Sequence, residues 1–113
     1  MTVNSRSKGK RGEIDARNVV RVAWHAHGCI RSAQAAGAFA ADLLHVGKAV
    51  HVEVKNVAKI GVEKFMAQAE RDAAEGELPV VVMRQTRGEW TVMFRLTDSD
   101  AFADMIQENK ARE

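Results

Sequence analysis

Three ionisable side chains near the middle of the chain, Asp42, Glu53 and Lys55, have types and spacing suited to phosphodiester hydrolysis. Asp42 interrupts an apolar run, and Glu53 and Lys55 stand two positions apart, so a strand would place both on one face. A metal-dependent phosphodiesterase needs hard oxygen ligands for Mg²⁺ and a cation near the attacking water and the scissile phosphate. The spacing D-x10-E-x-K supplies both. The alternatives are a turn residue at Asp42 and an ordinary solvated strand face at Glu53 and Lys55.

Glu13 is a further acidic residue in an unusual position. Because seven residues make nearly two helical turns and eleven nearly three, Glu13 lies above Val20 and Trp24 on the apolar face of a predicted helix. An ionised carboxylate there is costly unless a cation or a metal meets it. The alternative places Glu13 in the first turn, where the helix dipole favours acids and the helix end is wet.

The elements that must position these residues follow from the spacing of apolar side chains. Helices are predicted over 10–27, with Gly28 as the stop, over 61–75, and from Asp98 or Ser99 to about 110. Strands are predicted at 29–33, within 39–46, at 49–56, and as a hairpin of 78–84 with 89–96. In the strand at 49–56, valines alternate with His51, Glu53 and Lys55. The order α-β-β-β-α-β-β-α predicts an α/β fold with a mixed central sheet flanked by helices.

Length and composition fit one globular domain of 113 residues, with 46% apolar and 28% charged residues. The only cysteine, Cys29, excludes an internal disulfide and favours a reducing compartment. No apolar run approaches the ~18 residues of a membrane span, and no signal-peptide core follows the polar N-terminus. We therefore expect a cytoplasmic protein with no membrane partner.

The charge is unevenly distributed. Residues 1–35 carry seven bases against two acids, whereas the whole chain has a net charge of +2. A basic N-terminal third indicates a polyanionic partner, with nucleic acid first in line. The alternative is a solvated cationic tail. Residues 1–8 are expected to form a flexible basic arm, and residues 9–113 a single domain.

Five blocks in order resemble the PD-(D/E)XK nuclease superfamily, and more closely the small Holliday-junction-resolvase-like endonucleases of archaea and phages. The similarity runs over most of the chain, although Ala41 stands where the motif name has proline. The blocks are Lys8-Gly9-Lys10-Arg11-Gly12-Glu13, Arg31-Ser32-Ala33-Gln34, Asp42 with His51-Val52-Glu53-Val54-Lys55, Gln68-Ala69-Glu70-Arg71-Asp72-Ala73, and Pro79-Val80-Val81-Val82 with Glu89-Trp90-Thr91-Val92.

The resemblance implies a restriction-endonuclease-like fold and a Mg²⁺-dependent nuclease, with Mn²⁺ as a substitute, that cuts four-way DNA junctions as a homodimer. It implies that Glu13, Asp42 and Glu53 hold the metal, and that Lys55 and Gln68 complete the catalytic site. Gln68 is equally compatible with a solvated glutamine. The DNA-binding residues would be Lys8, Lys10, Arg11, Arg31, Ser32 and Gln34. The alternatives are a nuclease of the same fold that acts on other branched or linear DNA, and a DNA-binding module without catalysis.

Two other kinds of site have weaker support. His25, His27 and Cys29 lie close together, but their alternating spacing matches no common structural zinc pattern, and a fourth ligand would have to be His45 or His51. The segment 9–12 lacks the spacing of a P-loop, so no nucleotide cofactor is expected.

Overall fold

The structure is a computed structural model that describes residues 5–32 and 40–113. Its helices are α1 (Ser5–Ala23), α2 (Val62–Asp72) and α3 (Ser99–Ala111), and a 3₁₀ turn (Leu96–Asp98) precedes α3. Its strands are β1 (Ile30–Arg31), β2 (Leu43–Leu44), β3 (Val50–Val57), β4 (Leu78–Gln85) and β5 (Thr91–Met93). Across the described residues the predicted order of helices and strands is confirmed.

The five strands form one mixed sheet in chain order. β3 and β4 are parallel over their whole length, from Val50 opposite Leu78 to Val57 opposite Gln85, and α2 is the crossover between them. The other neighbouring pairs are antiparallel. The edge strands β1 and β5 are shorter than the predicted 29–33 and 89–96, because pairing with the sheet extends over only two and three residues.

Alternate residues of β3 and β4 face two separate apolar layers. Val52, Val80 and Val82 belong to a buried cluster that includes Ala16 and Val20 of α1 and Met105 of α3. Val81, one position out of phase, packs instead with residues of α2, namely Phe65, Met66 and Ala69. The sheet therefore lies between α1 and α3 on one face and α2 on the other, which confirms an α/β sheet flanked by helices.

α1 occupies different bounds from the predicted helix at 10–27. It begins at Ser5, so residues 5–8 of the expected flexible arm are helical, and residues 1–4 lie outside the described part of the chain. It ends four residues early because His25 adopts a left-handed conformation with φ of 56°. Since a left-handed residue cannot continue a right-handed helix, the helix stops before His25, and Gly28 is not its terminator.

Gly12 marks the point where α1 approaches β3. A Cβ atom at Gly12 would lie 2.8 Å from the Cβ of Asn56, closer than non-bonded carbons can approach. Glycine therefore lets the helix pack directly over the strand. The next residue along α1 is Glu13, so this contact fixes its height above the sheet.

Asn109 attaches α3 to two loops. Its buried Nδ2 donates to the carbonyl oxygens of Trp24 at 3.0 Å and Val46 at 2.7 Å, and its Oδ1 accepts from Arg112 at 2.6 Å. At the other end of α3, Asp98 takes the predicted N-cap position without a capping side-chain hydrogen bond.

In the described residues, no helix is both long enough and apolar enough to cross a membrane.

Candidate functional site

The register of β2 against β3 brings Asp42 next to Glu53. Leu43 pairs with Val52 in the antiparallel ladder, so Asp42, the residue just before β2, comes opposite Glu53. The N–H of Asp42 donates to the carbonyl of Val52 at 2.8 Å, and its Oδ2 accepts from the N–H of Val54 at 2.8 Å. The side chain of Asp42 thus takes the place of a strand carbonyl and is held at the middle of the sheet.

Burial raises the pKa of Asp42 to about 7, against the opposing effect of the hydrogen bond from the Val54 N–H. The charge of Glu53, the charge of Glu13 and a hydrogen bond with Glu53 raise it further. Near neutral pH, the carboxyl group of Asp42 is therefore partly protonated, and its O–H can donate to Glu53. A divalent cation bound between them would displace that proton.

Glu53 and His51 are buried on the side of the sheet that faces α2, with only 4% and 2% of their surfaces exposed. His51 Nε2 lies 2.7 Å from Glu53 Oε1. This hydrogen bond raises the pKa of His51 and outweighs the effect of burial. A solvated strand face is therefore not observed. The alternation of the strand placed His51 on the correct face, but its bond to Glu53 was not predicted.

Lys55 projects from the same face of β3 and is held by α2. Its Nζ donates to Gln68 Oε1 at 2.7 Å and lies 5.4 Å from the centroid of the Phe65 ring. Gln68 is partly buried and engaged, so the solvated glutamine is not observed either. The structure brings Lys55 and Gln68 together, two residues along the strand from Glu53.

Glu13 lies two turns inside α1, so the alternative that placed it in the first turn is wrong. Its side chain is 23% exposed, and its Oε1 accepts a hydrogen bond from Arg31 Nε at 3.1 Å. The charge of Glu13 nevertheless reaches Asp42, whose pKa it raises. The structure therefore joins Asp42 to Glu53 and leaves Glu13 apart from them, paired with an arginine.

The structure does not gather the carboxylates of Glu13, Asp42 and Glu53, the three expected metal ligands, into one ligand group among the described residues. Within residues 5–32 and 40–113, a different set, His25, His27 and Glu113, has ligand atoms that all lie within 4.8 Å of one another. Glu13 would have to leave Arg31 to complete a three-carboxylate set. The reason is topological, because α1 packs on one face of the sheet while Glu53 points to the other.

The residues expected to bind DNA are divided by the structure. Lys10 and Arg11 are exposed on α1, and Lys8 lies in the same helix. Gln34 falls outside the described residues. The helix that carries Glu13 therefore also presents basic side chains to solvent.

Arg31 and Ser32 lie closer to the carboxylates than the sequence indicated. Arg31 is only 23% exposed and is engaged by Glu13, which differs from an arginine presented to solvent for DNA. The N–H of Ser32 donates to the carbonyl of Asp42 at 3.0 Å. Both residues therefore help to build the strand edge that holds Asp42.

A polar row beside the site was not anticipated from the sequence. Arg84 donates to Asn56 Oδ1 at 3.2 Å and to Asp15 Oδ2 at 3.1 Å, and its guanidinium lies 4.4 Å from the centroid of the Trp90 ring. These contacts connect β3, β4 and α1. No local signal could have found them, because Arg84 and Asp15 are 69 positions apart.

The zinc alternative takes a different form in the structure. Cys29 is fully buried, and burial raises the pKa of its thiol. His25 and His27 turn to Glu113 instead, a residue 86 positions beyond His27.

Comparison with protein-family models, with curated proteins and with solved structures finds no match to this chain. The resemblance to PD-(D/E)XK nucleases therefore stays a prediction from the residues.

Proposed function

We propose that the protein is a metal-dependent DNA endonuclease of the PD-(D/E)XK type that acts on branched DNA, with four-way junctions as the preferred substrate. The observation that carries the proposal is the β2–β3 register, which puts Asp42 opposite Glu53, with Lys55 following on the same face. A mixed sheet between helices is compatible with a restriction-endonuclease-like fold.

The carboxyl groups of Asp42 and Glu53 fit a Mg²⁺ or Mn²⁺ ion in their chemistry, because both are oxygen donors and they lie together in a partly desolvated place. Glu13 would be a third ligand after release from Arg31. When bound, the ion would polarise the phosphate and lower the pKa of a coordinated water.

The remaining residues would orient these groups and the substrate. His51 holds the carboxylate of Glu53 through its 2.7 Å hydrogen bond. Gln68 holds the ammonium of Lys55, which would stabilise the negative charge that develops on the phosphate. The fixed position of Lys55 matters because preorganised charges avoid reorganisation during the reaction.

DNA binding is supported by the exposed bases of α1, Lys10 and Arg11, within the basic N-terminal third. Such residues would neutralise backbone phosphates and fix the register of the DNA without recognising bases. A homodimer would present two sites to the two cut strands of a junction. DNA as the substrate would place the enzyme in the cytoplasm.

A DNA-binding module without catalysis is the second candidate, and one observation favours it. The carboxylate of Glu13 is bonded to Arg31 and that of Glu53 to His51, so two of the three expected ligands already have cationic or hydrogen-bonding partners. Such a module would bind DNA with strong salt dependence and would not cut it.

The test is nicking of a synthetic four-way junction and of a linear duplex of the same sequence, with Mg²⁺, with Mn²⁺ and with EDTA. We expect metal-dependent nicking of the junction, and loss of nicking in Lys55→Ala but not in Lys110→Ala, an exposed lysine of α3. Equal activity of Lys55→Ala and the wild type would overturn the assigned mechanism. Salt-sensitive binding with no cleavage under any metal would establish the binding module instead.

A second comparison separates the substrate from the chemistry. Faster cutting of the junction than of the duplex supports the junction-specific proposal, and equal rates support a general nuclease of the same fold. Sedimentation of the protein with and without junction DNA tests the homodimer.

A further inference from the structure

A second group of ligand-type side chains lies at the far end of α1 from Glu13. His25 and His27 follow the helix, and Glu113 follows α3. His25 Nδ1 lies 2.5 Å from Glu113 Oε1, and His27 Nε2 lies 2.7 Å from the same oxygen. Two imidazole nitrogens from one short loop therefore converge on one carboxylate.

The two rings approach that carboxylate from different directions. The ring planes are at 89° and the ring centroids are 6.4 Å apart, so the two rings do not stack on each other. Each ring instead points one nitrogen at the carboxylate. The side chains of His25, His27 and Glu113 are 33%, 65% and 40% exposed, which leaves a path for an ion from solvent. They border a cavity of about 380 Å³ that His45 also lines.

We propose that His25, His27 and Glu113 form a binding site for a borderline transition-metal cation of the Zn²⁺ class, with His45 within the same cavity as a candidate fourth ligand. Two imidazoles and a carboxylate are a donor set that suits Zn²⁺, Co²⁺ or Ni²⁺. Mg²⁺ binds such a set weakly because it prefers oxygen ligands. Three protein ligands leave at least one coordination position for water or for His45.

The present distances are compatible with entry of an ion. Ligand atoms about 2.0 Å from a tetrahedral ion are roughly 3.3 Å apart, so the nitrogens and the carboxylate oxygen must separate by less than about 1 Å. Exposed side chains at a loop and at a helix end can make this movement without disturbing the core.

The site is separate from the proposed nuclease centre. From Glu13 to the end of α1 at Ala23, the helix rises by roughly 15 Å. An ion at this second site would join the loop after α1 to the end of α3, two segments more than 80 positions apart. Since the unfolded chain lacks this arrangement, the ion would stabilise the folded protein.

The experiment is titration of the full chain, without a polyhistidine tag, with Co²⁺, followed by visible absorption and by displacement with Zn²⁺. With excess Mg²⁺ present to occupy the carboxylate site, we expect one Co²⁺ per chain and an absorption band typical of nitrogen and oxygen ligands. Tm should rise with added Zn²⁺ but much less with Mg²⁺. Because His27 is largely exposed, His27→Ala should fold normally, as its circular dichroism will show. Its affinity for Co²⁺ should fall roughly tenfold or more.

Glu113→Gln should weaken binding in the same way, whereas Glu108→Gln, at an exposed position on α3, should not. The absence of a band at one ion per chain would overturn the proposal, and so would equal affinity in the wild type and His27→Ala. The closeness of these side chains would then be explained by ion pairing between the histidines and Glu113. Asp42→Asn should leave the cobalt band in place, so loss of metal binding at one site is distinguishable from loss at the other.

Discussion

The described part of the chain, residues 5–32 and 40–113, contains two clusters in which a histidine nitrogen lies 2.7 Å from a glutamate oxygen. The buried carboxylate cluster consists of Asp42, Glu53 and His51, and the exposed histidine cluster consists of His25, His27 and Glu113. In the first cluster, His51 and Glu53 are almost completely enclosed between β3 and α2. In the second, His27 and Glu113 remain largely in contact with solvent.

Burial gives the acidic groups of the two clusters opposite properties. The pKa of Asp42 rises to about 7 because its charged form loses hydration and faces other carboxylates. The pKa of Glu113 falls because two histidines hydrogen-bond to it in a wet environment. Similar side chains thus provide a protonatable carboxyl group, that of Asp42, in one place and a nitrogen-rich ligand set in the other. The metal preferences that we propose for the two clusters follow from this difference.

Asp42→Asn should have the largest effect on the carboxylate cluster and none on the histidine cluster. The amide can still accept from the Val54 N–H and donate to Glu53, so the fold is kept while a metal ligand is lost. We expect nicking of the junction to fall roughly a hundredfold or more, with unchanged Co²⁺ binding at the histidine cluster. Asp104→Asn on α3 is the matched control. A variant that nicks as well as the wild type would remove Asp42 from the proposed site.

The pH dependence of the stability of Asp42→Asn tests the raised pKa of Asp42. A carboxyl whose pKa is raised on folding stabilises the fold when protonated, and this stabilisation is lost as the pH rises through about 7. Without metal, Asp42→Asn should therefore be more stable than the wild type at pH 8, and the advantage should shrink by pH 5. Thermal melts in EDTA at the two pH values measure this difference. An equal difference at both would contradict the raised pKa.

Gly12→Ala should displace α1 from β3 and thereby disturb the carboxylate cluster, while the histidine cluster is unaffected. The new methyl group meets Asn56 Cβ at 2.8 Å, so α1 must shift away from β3 together with Glu13. We expect a loss of about 1–3 kcal/mol in the free energy of unfolding and a lower nicking rate. Gly9→Ala is the matched control, because a Cβ at Gly9 meets nothing within 4 Å, and it should stabilise α1 by roughly 0.5–1 kcal/mol. Urea denaturation of both variants measures their free energies of unfolding. An unchanged free energy of unfolding in Gly12→Ala would contradict the close packing of α1 on β3.

The affinity for Mg²⁺ should depend on pH through Asp42. With a pKa of about 7, the carboxyl is mainly protonated at pH 6 and mainly ionised at pH 8, so the affinity should rise roughly tenfold between these values. Calorimetry in buffers of different ionisation enthalpy should show proton release on binding at pH 6. A flat affinity across this range would show that Asp42 is already ionised or is not a ligand.

Gln68→Ala should have the smallest effect on the reaction. It frees the ammonium of Lys55 without removing its charge, so we expect a severalfold fall in kcat with little change in KM. Gln107→Ala, an exposed glutamine of α3, is the control. A loss as large as that of Lys55→Ala would mean that Gln68 contacts the substrate itself.

The order of elements and the strand that carries Glu53 and Lys55 could be predicted, because each depends on local periodicity. The valines of β3 alternate with ionisable residues, and this pattern fixed both the strand and its two faces. That the ionisable face would be buried could not be predicted from β3 alone. It is covered by α2, whose position is set by the parallel pairing of β3 and β4.

The ends of α1 and the partners of its residues depended on contacts outside the helix. The residue that ends α1, His25, has a left-handed conformation that favours glycine. The sequence pattern therefore predicts the end of the helix at the nearby glycine, Gly28. The partner of Glu13, Arg31, is 18 positions away, and that of His27 is 86 positions away. Pairings of this kind arise from tertiary packing, and the local pattern of a single sequence carries no trace of them.

The amide of Asn109 has a consequence for synthesis on the ribosome. Its two N–H groups donate to the carbonyls of Trp24 and Val46, so these carbonyls can bond only to water until residue 109 has left the exit tunnel. The sheet can assemble earlier, but the loop that carries His25 and His27 closes only when the last helix docks. Closure of this loop therefore depends on a side chain that is synthesised after the whole sheet.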